Sequence, residues 1–150
     1  MLFNSEFETG LRILLILTAS EKELSVGQIV DIDFITLYGK DFGISEINLH
    51  GTNNFRFSEY SSRRELIGKA LKRLVLSNYV NVKYLKSGFF YFISNVGRKY
   101  CSKLNNDYGS IYSEIVKSSL KYIEEKRESS LLGEITNLSI YAITGGNTHE

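Results

Sequence analysis

Along the chain, hydrophobic and polar positions alternate in blocks that predict helix, helix, helix, hairpin, then further helices. The first block, Thr9–Ala19, reads TGLRILLILTA and is apolar almost all round, with Arg12 its one wet position. A helix with so little polar face belongs at the centre of a core. Ser5 with Glu8 three residues on fits a capping box, with Phe3 and Phe7 expected to pack where the helix starts. After the polar turn Ser20–Glu23, Ser25 caps a second helix, in which Val26, Ile29, Val30, Phe34 and Leu37 recur at three- and four-residue spacings. Gly39 stands where that helix should stop.

Between Gly39 and the third helix, Lys40–Ser62 is polar, glycine-containing and without clear period, and long for a connection inside a compact domain. Ser61 or Ser62 then caps a helix whose apolar face is Leu66, Ile67, Ala70, Leu71, Leu74 and Val75, ending near Ser77-Asn78. Val80, Val82 and Tyr84 alternate, Lys86-Ser87-Gly88 turns, and Phe90, Phe92 and Ile93 resume, which is a hairpin. A capped short helix follows in SNVGRKYCSKL, and NNDYGS reads as a break before a helix over Ile111–Glu125, with Ile111, Ile115, Leu120 and Ile123 on its apolar side. Leu131–Tyr141 suggests one more short helix before a frayed tail. The expected fold is mostly α with a β-hairpin wing (α+β), a winged-helix domain carrying additional C-terminal helices. It spans residues 1–127, and 128–150 form the short helix and tail.

Net charge changes little in this picture, but its distribution does. The 150 residues sum to +1. Residues 1–62 hold four basic and nine acidic side chains, 63–99 nine basic and one acidic, and 100–150 five and seven. One positive surface on a near-neutral molecule follows. The single cysteine, Cys101, precludes an internal disulfide and suits a reducing compartment. Ile13–Leu17 is too short to cross a bilayer and no leader precedes it, so the reading is cytoplasmic, without membrane association.

Five basic residues fall within Arg63–Arg73. On a helical projection Lys69, Lys72 and Arg73 occupy the solvent side with Glu65, the placement of a major-groove reader, and Lys83 and Lys86 on the hairpin would add phosphate contacts. A winged-helix transcriptional regulator, dimeric through Ile111–Glu125, would use that surface. The bland alternative is a solvated helix face. Against base reading stand the long connection before the helix, where a helix-turn-helix needs a turn of a few residues, and the lack of Asn or Gln on the exposed face. Non-specific phosphate contact needs neither.

Chemistry-bearing residues form no recognisable set. Asp31 and Asp33 are two apart on a helix and do not face each other; they read as exposed helix charges, with Asp41 and Glu46 beyond. His50, His149 and Cys101 lack zinc-site spacing, nothing flanks Cys101 or His50 to support a nucleophile and base, and no phosphate-cradling glycine loop occurs. The expectation is a non-enzyme with no cofactor, no metal and no small-molecule substrate. The aromatics concentrate in GFFYFIS, where alternation sets Phe90 and Phe92 on one side and Phe89 and Tyr91 on the other. One pair should be exposed unless covered, and exposed aromatics suit a protein partner.

Over Phe3–Glu125 the sequence resembles the small middle components of bacterial ABC three-component systems, which include Lamassu-type anti-phage defence operons. FNSEFETGLRILLIL is similar to the family's opening and DIDFITLYGKDFG to its second segment. NLHGTNNFRFSEYSSRRELIGKALKRL is the most specific stretch, and GFFYFISNVGRKYCSKL with YGSIYSEIVKSSLKYI is similar to its wing and tail. Gly51 after His50 departs from the proline expected there. The resemblance implies a non-enzymatic adaptor between an SMC-like ABC ATPase and an effector, often a nuclease. On that reading the interface candidates are Arg56 and Glu59 in the loop, Arg63 and Arg64 at the helix start, and Phe89 and Tyr91 on the wing.

Overall fold

A computed structural model describes residues 6–49, 60–104 and 106–126. In chain order it contains α1 (Glu6–Ala19), α2 (Val26–Leu37), α3 (Tyr60–Leu76), β1 (Val80–Leu85), β2 (Gly88–Ile93), α4 (Asn95–Ser102) and α5 (Asp107–Glu124). The chain is therefore mostly helical with one two-stranded antiparallel hairpin, an α+β fold.

The core lies where α1 meets α3 and α5 and where α2 meets α5 and α3. Ile13, Ile16, Leu17, Ile29, Ile32, Phe34, Ile67, Leu71, Tyr112 and Val116 fill it. The all-apolar run of α1 is central, as its pattern requires. Phe7 departs from expectation: it stands 69% exposed instead of packing at the helix start, because α1 already begins at Glu6 and turns that position outward. Phe3 and Ser5 lie outside the described residues.

Ser25 caps α2 in a full capping box, its Oγ accepting from the Gln28 amide at 3.2 Å while Gln28 Oε1 accepts from the Ser25 amide at 2.9 Å. The chain then folds back on itself. The Leu49 amide donates to the Leu37 carbonyl at 2.8 Å, and the Lys40 amide to Asn48 Oδ1 at 2.9 Å. Phe34 stacks edge-on with Phe42 and Tyr60, joining this loop and the start of α3 to one buried ring. Residues 50–59, the remainder of the long connection, are outside the described residues.

α3 ends in a Schellman turn. The Tyr79 amide donates to the Leu74 carbonyl at 2.9 Å and the Asn78 amide to the Val75 carbonyl at 3.0 Å, with Asn78 left-handed at φ 67°. Asparagine tolerates that conformation, so Asn78 aims the chain into β1. The hairpin pairs Val80 with Ile93, Val82 with Tyr91, Tyr84 with Phe89 and Leu85 with Gly88. Its two-residue turn, Lys86-Ser87, needs the positive φ of Gly88. Leu24, between α1 and α2, bridges to Tyr91 on the far side of β2: the Leu24 amide donates to the Tyr91 carbonyl at 3.0 Å, and the Leu24 carbonyl accepts from the Tyr91 amide at 2.8 Å.

Ser94 joins hairpin to α4, its Oγ accepting from the Gly97 amide and bonding to the carbonyls of Asn78 and Tyr79. The stretch read as a break before the last helix is instead its cap. Asn106 Oδ1 accepts from the Gly109 amide, and α5 begins at Asp107. Its buried side is Tyr112, Ile115, Val116 and Ser119, whereas Ile111 is exposed. Among the described residues no helix is long and apolar enough to cross a membrane.

Candidate partner interface

What the body buries decides what the surface can offer. Asp33, on α2, accepts from Arg12 Nε at 2.8 Å and Nη2 at 3.3 Å, from Arg63 Nη1 at 3.3 Å and from the Tyr112 hydroxyl at 2.5 Å. One carboxylate thus ties α1, α3 and α5 to α2. Asp31, also buried, accepts from the Tyr60 hydroxyl. Thr36 and Ser119 share a hydrogen bond of 2.7 Å between α2 and α5.

This overturns three expectations. Arg12 is no wet position and Asp31 and Asp33 are not exposed charges; all three are buried. The physical reason is pairing where water is excluded: Asp33 meets the guanidinium groups of Arg12 and Arg63, and Asp31 accepts from the Tyr60 hydroxyl. Burial pushes the Asp33 pKa up, but Arg12 and Arg63 together outweigh it and hold the carboxyl below its usual range. Burial likewise works against the Arg12 charge, and Asp33 more than restores it. Tyr112 is held well above the ordinary phenol value, by burial first and by the Asp33 charge beside it. The cluster is structural chemistry: every member faces another protein group.

Of the interface candidates, Arg63 is therefore placed inward, 3% exposed, as part of this cluster. Arg64 is exposed on the first turns of α3. Arg56 and Glu59 are outside the described residues, as are His50 and His149. Cys101 is half-buried, and burial raises its thiol pKa.

The solvent side of α3 carries Lys69, Lys72 and Arg73 as its spacing requires, but carboxylates share it. Lys69 pairs with Glu65 at 3.8 Å, and Arg73 pairs with Glu6 from the start of α1. The groups nominated for DNA therefore sit on a mixed-charge face. Beside it, Phe7, Leu11, Leu14, Leu74, Tyr79 and Tyr100 line a groove of about 400 Å³ between α1, α3 and α4.

The hairpin is the more unusual surface. Exposure follows neither face alone: the base pair is buried, the tip rings are exposed, and in between Phe90 and Tyr91 are half-buried while Phe92 is exposed. Val80 and Ile93 at its base are buried, Tyr91 is half-buried, and Tyr84 and Phe89 at its tip are 71% and 57% exposed. The last two rings pack on each other, centroids 5.0 Å apart. Val82, Leu85 and Phe92 are exposed as well. Hence Phe89 is available, Tyr91 is committed through Leu24, and the expected exposure of one whole pair does not occur. Val82 and Tyr84 were not among the sequence candidates: a turn over Lys86-Ser87-Gly88 would set Tyr84 opposite Phe90, whereas the turn is Lys86-Ser87 alone, Gly88 opens β2, and Tyr84 pairs with Phe89. Lys83 and Lys86 are exposed on the same hairpin. Among the described residues no group of three or more His, Cys, Asp or Glu is gathered as a metal site.

Residues 2–143 match the family model described as ABC-three component (ABC-3C) system Middle Component 2. No curated protein and no solved structure matches the chain.

Proposed function

Because the chain belongs to the Middle Component 2 family of ABC-three component systems, we propose that it is the non-enzymatic adaptor of a Lamassu-type anti-phage defence complex. In this reading it acts in the cytoplasm and ties an SMC-like ABC ATPase to a nuclease effector. Membership in a multi-component system supplies the need for protein partners; the identities of those partners and the defence role are our reading. The single observation that carries it is the hairpin, whose tip holds Tyr84 and Phe89 in solvent while its base is locked into the core. Rigidly presented aromatics are the side chains that dominate protein interfaces.

We read the body as a winged helix. The order α1, α2, α3, β1, β2, with the Leu24 bridge on the hairpin's inner side, supports that reading. The rival regulator reading has less support. Carboxylates from Glu6 and Glu65 interrupt the basic face, and much of the apolar side of α5 meant for dimerisation is spent against α1 and α2. Co-expression with the neighbouring ATPase and effector genes tests the proposal: the three should co-purify at fixed stoichiometry. A chain that purifies alone and binds its own promoter with a steep salt dependence would replace the adaptor with the regulator.

A further inference from the structure

We propose that the outer edge of β1 takes up an extended strand from a partner protein, and that this strand alternates apolar with acidic residues. The proposal rests on the adaptor reading and gives its mode of docking.

The backbone geometry comes first. Both main-chain groups of Tyr91 are turned away from β1, since its amide and carbonyl bond to Leu24. In an antiparallel pair, directly opposed residues turn their main-chain groups the same way relative to the ladder. Val82 is opposite Tyr91, so the Val82 amide and carbonyl point out of the hairpin on its other side. Two residues on, Tyr84 does the same. Leu24 covers one edge of the ribbon; the other offers a row of donors and acceptors that meets no backbone partner among the described residues. Exposed edges are usually blunted by lysine, proline, a bulge or covering structure, and of these β1 carries Lys83, which repels a basic strand and admits an acidic one. Here no proline occurs in the chain and the register runs unbroken from Val80 to Leu85.

The side chains then specify the occupant. Val82, Tyr84 and Phe89 lie on one face of the ribbon and are all exposed, while Asn81 and Lys83 alternate onto the other. A strand laid along β1 would set every second residue beside Val82 and Tyr84, where apolar groups gain burial, and the intervening ones beside Lys83. Charge decides the rest. No Asp or Glu occurs between Glu65 and Asp107, a stretch holding eight Lys and Arg residues. An acidic strand is complementary to it, whereas pairing two copies of β1 would bring Lys83 and Lys86 against their own kind. Duplex DNA would satisfy the lysines but not the exposed apolar row or the backbone edge.

The test uses the full chain and three probes: a nine-residue peptide alternating Val and Glu, its Val and Lys counterpart, and a duplex oligonucleotide. Amide exchange at Val82 and Tyr84 should slow about tenfold or more with the acidic peptide, and not with the basic one. Val82→Pro should abolish the effect, since the Val82 amide takes no part in the β1–β2 ladder and an edge strand accepts proline. Lys83→Glu should reverse the peptide preference. Unchanged exchange, protection that persists in Val82→Pro, or protection given by the duplex alone overturns the proposal. In the assembled complex, a stable assembly with both amides still exchanging freely sinks the edge proposal and leaves the adaptor standing. Peptide uptake without any complex does the opposite.

Discussion

Arg12 and Asp33, 21 residues apart in sequence, meet in a two-pronged ion pair with both side chains 2% exposed. Around it, four helices acquire a fixed relative position from one carboxylate. Such a cluster adds little net stability over an apolar core of equal volume, because desolvation offsets attraction. What it does is make the wrong arrangement expensive, since a shift of α1 or α3 strands a buried charge and a shift of α5 takes a hydrogen bond from Asp33. A rigid body suits a molecule that presents a hairpin to partners.

Asp33→Asn should therefore destabilise far more than a surface change, by about 3–5 kcal/mol, as it leaves Arg12 and Arg63 buried without their counter-charge. Chemical denaturation measures it, with Glu65→Gln on the exposed face expected to stay within about 0.5 kcal/mol of the parent.

The same carboxyl gives an acid dependence of defined sign. Its pKa is lower folded than unfolded, so its contribution is complete above the unfolded value of about 3.9 and fades as pH falls through the folded value. The stability gap between the parent and Asp33→Asn should hold from neutral pH to about 5 and narrow below about 4. Tyr112 works at the other end. Its raised pKa favours the neutral phenol in the folded state, so its contribution is lost as pH climbs above about 10, and Tyr112→Phe should remove that alkaline loss.

Two glycines should respond in opposite directions to alanine. Gly97 lies against the Tyr79 carbonyl, which a Cβ would strike, whereas Gly68 in α3 has nothing within 4 Å of its would-be Cβ. Gly97→Ala should cost about 1–3 kcal/mol, and Gly68→Ala should add about 0.5–1 kcal/mol through helix propensity. Paired thermal melts decide both.

Removing the tip rings, Tyr84→Ala with Phe89→Ala, should leave the melting temperature nearly unchanged because both side chains are largely solvated. Affinity for the partner that meets the hairpin should fall about thirtyfold or more, the scale of an interface hot spot. Calorimetry on the purified subunits reads this directly.

Much of the fold was legible because its signals are local. The capping residues Ser25 and Ser94, the apolar periods of α2 and α3 and the hairpin turn each act within a few positions of where they stand. The buried cluster was not, since a charge in a helix ordinarily points to water and its rescue comes from residues 21 to 79 positions away. One clue was present: Arg12 within the apolar run of α1 and the two aspartates Asp31 and Asp33 within IVDIDFITL are opposite charges set in the two most hydrophobic segments. NNDYGS misled for a different reason, asparagine and glycine serving a helix cap as readily as a break. On the surface, the aromatic hairpin was visible in sequence, but which rings stay wet depended on how deeply its base is seated.

Bridging is the central claim, and one pull-down measures it. With the ATPase immobilised, the effector should be retained only when this chain is added, and retention should drop with the Tyr84→Ala, Phe89→Ala variant. Equal retention of the effector with and without the chain would contradict the account.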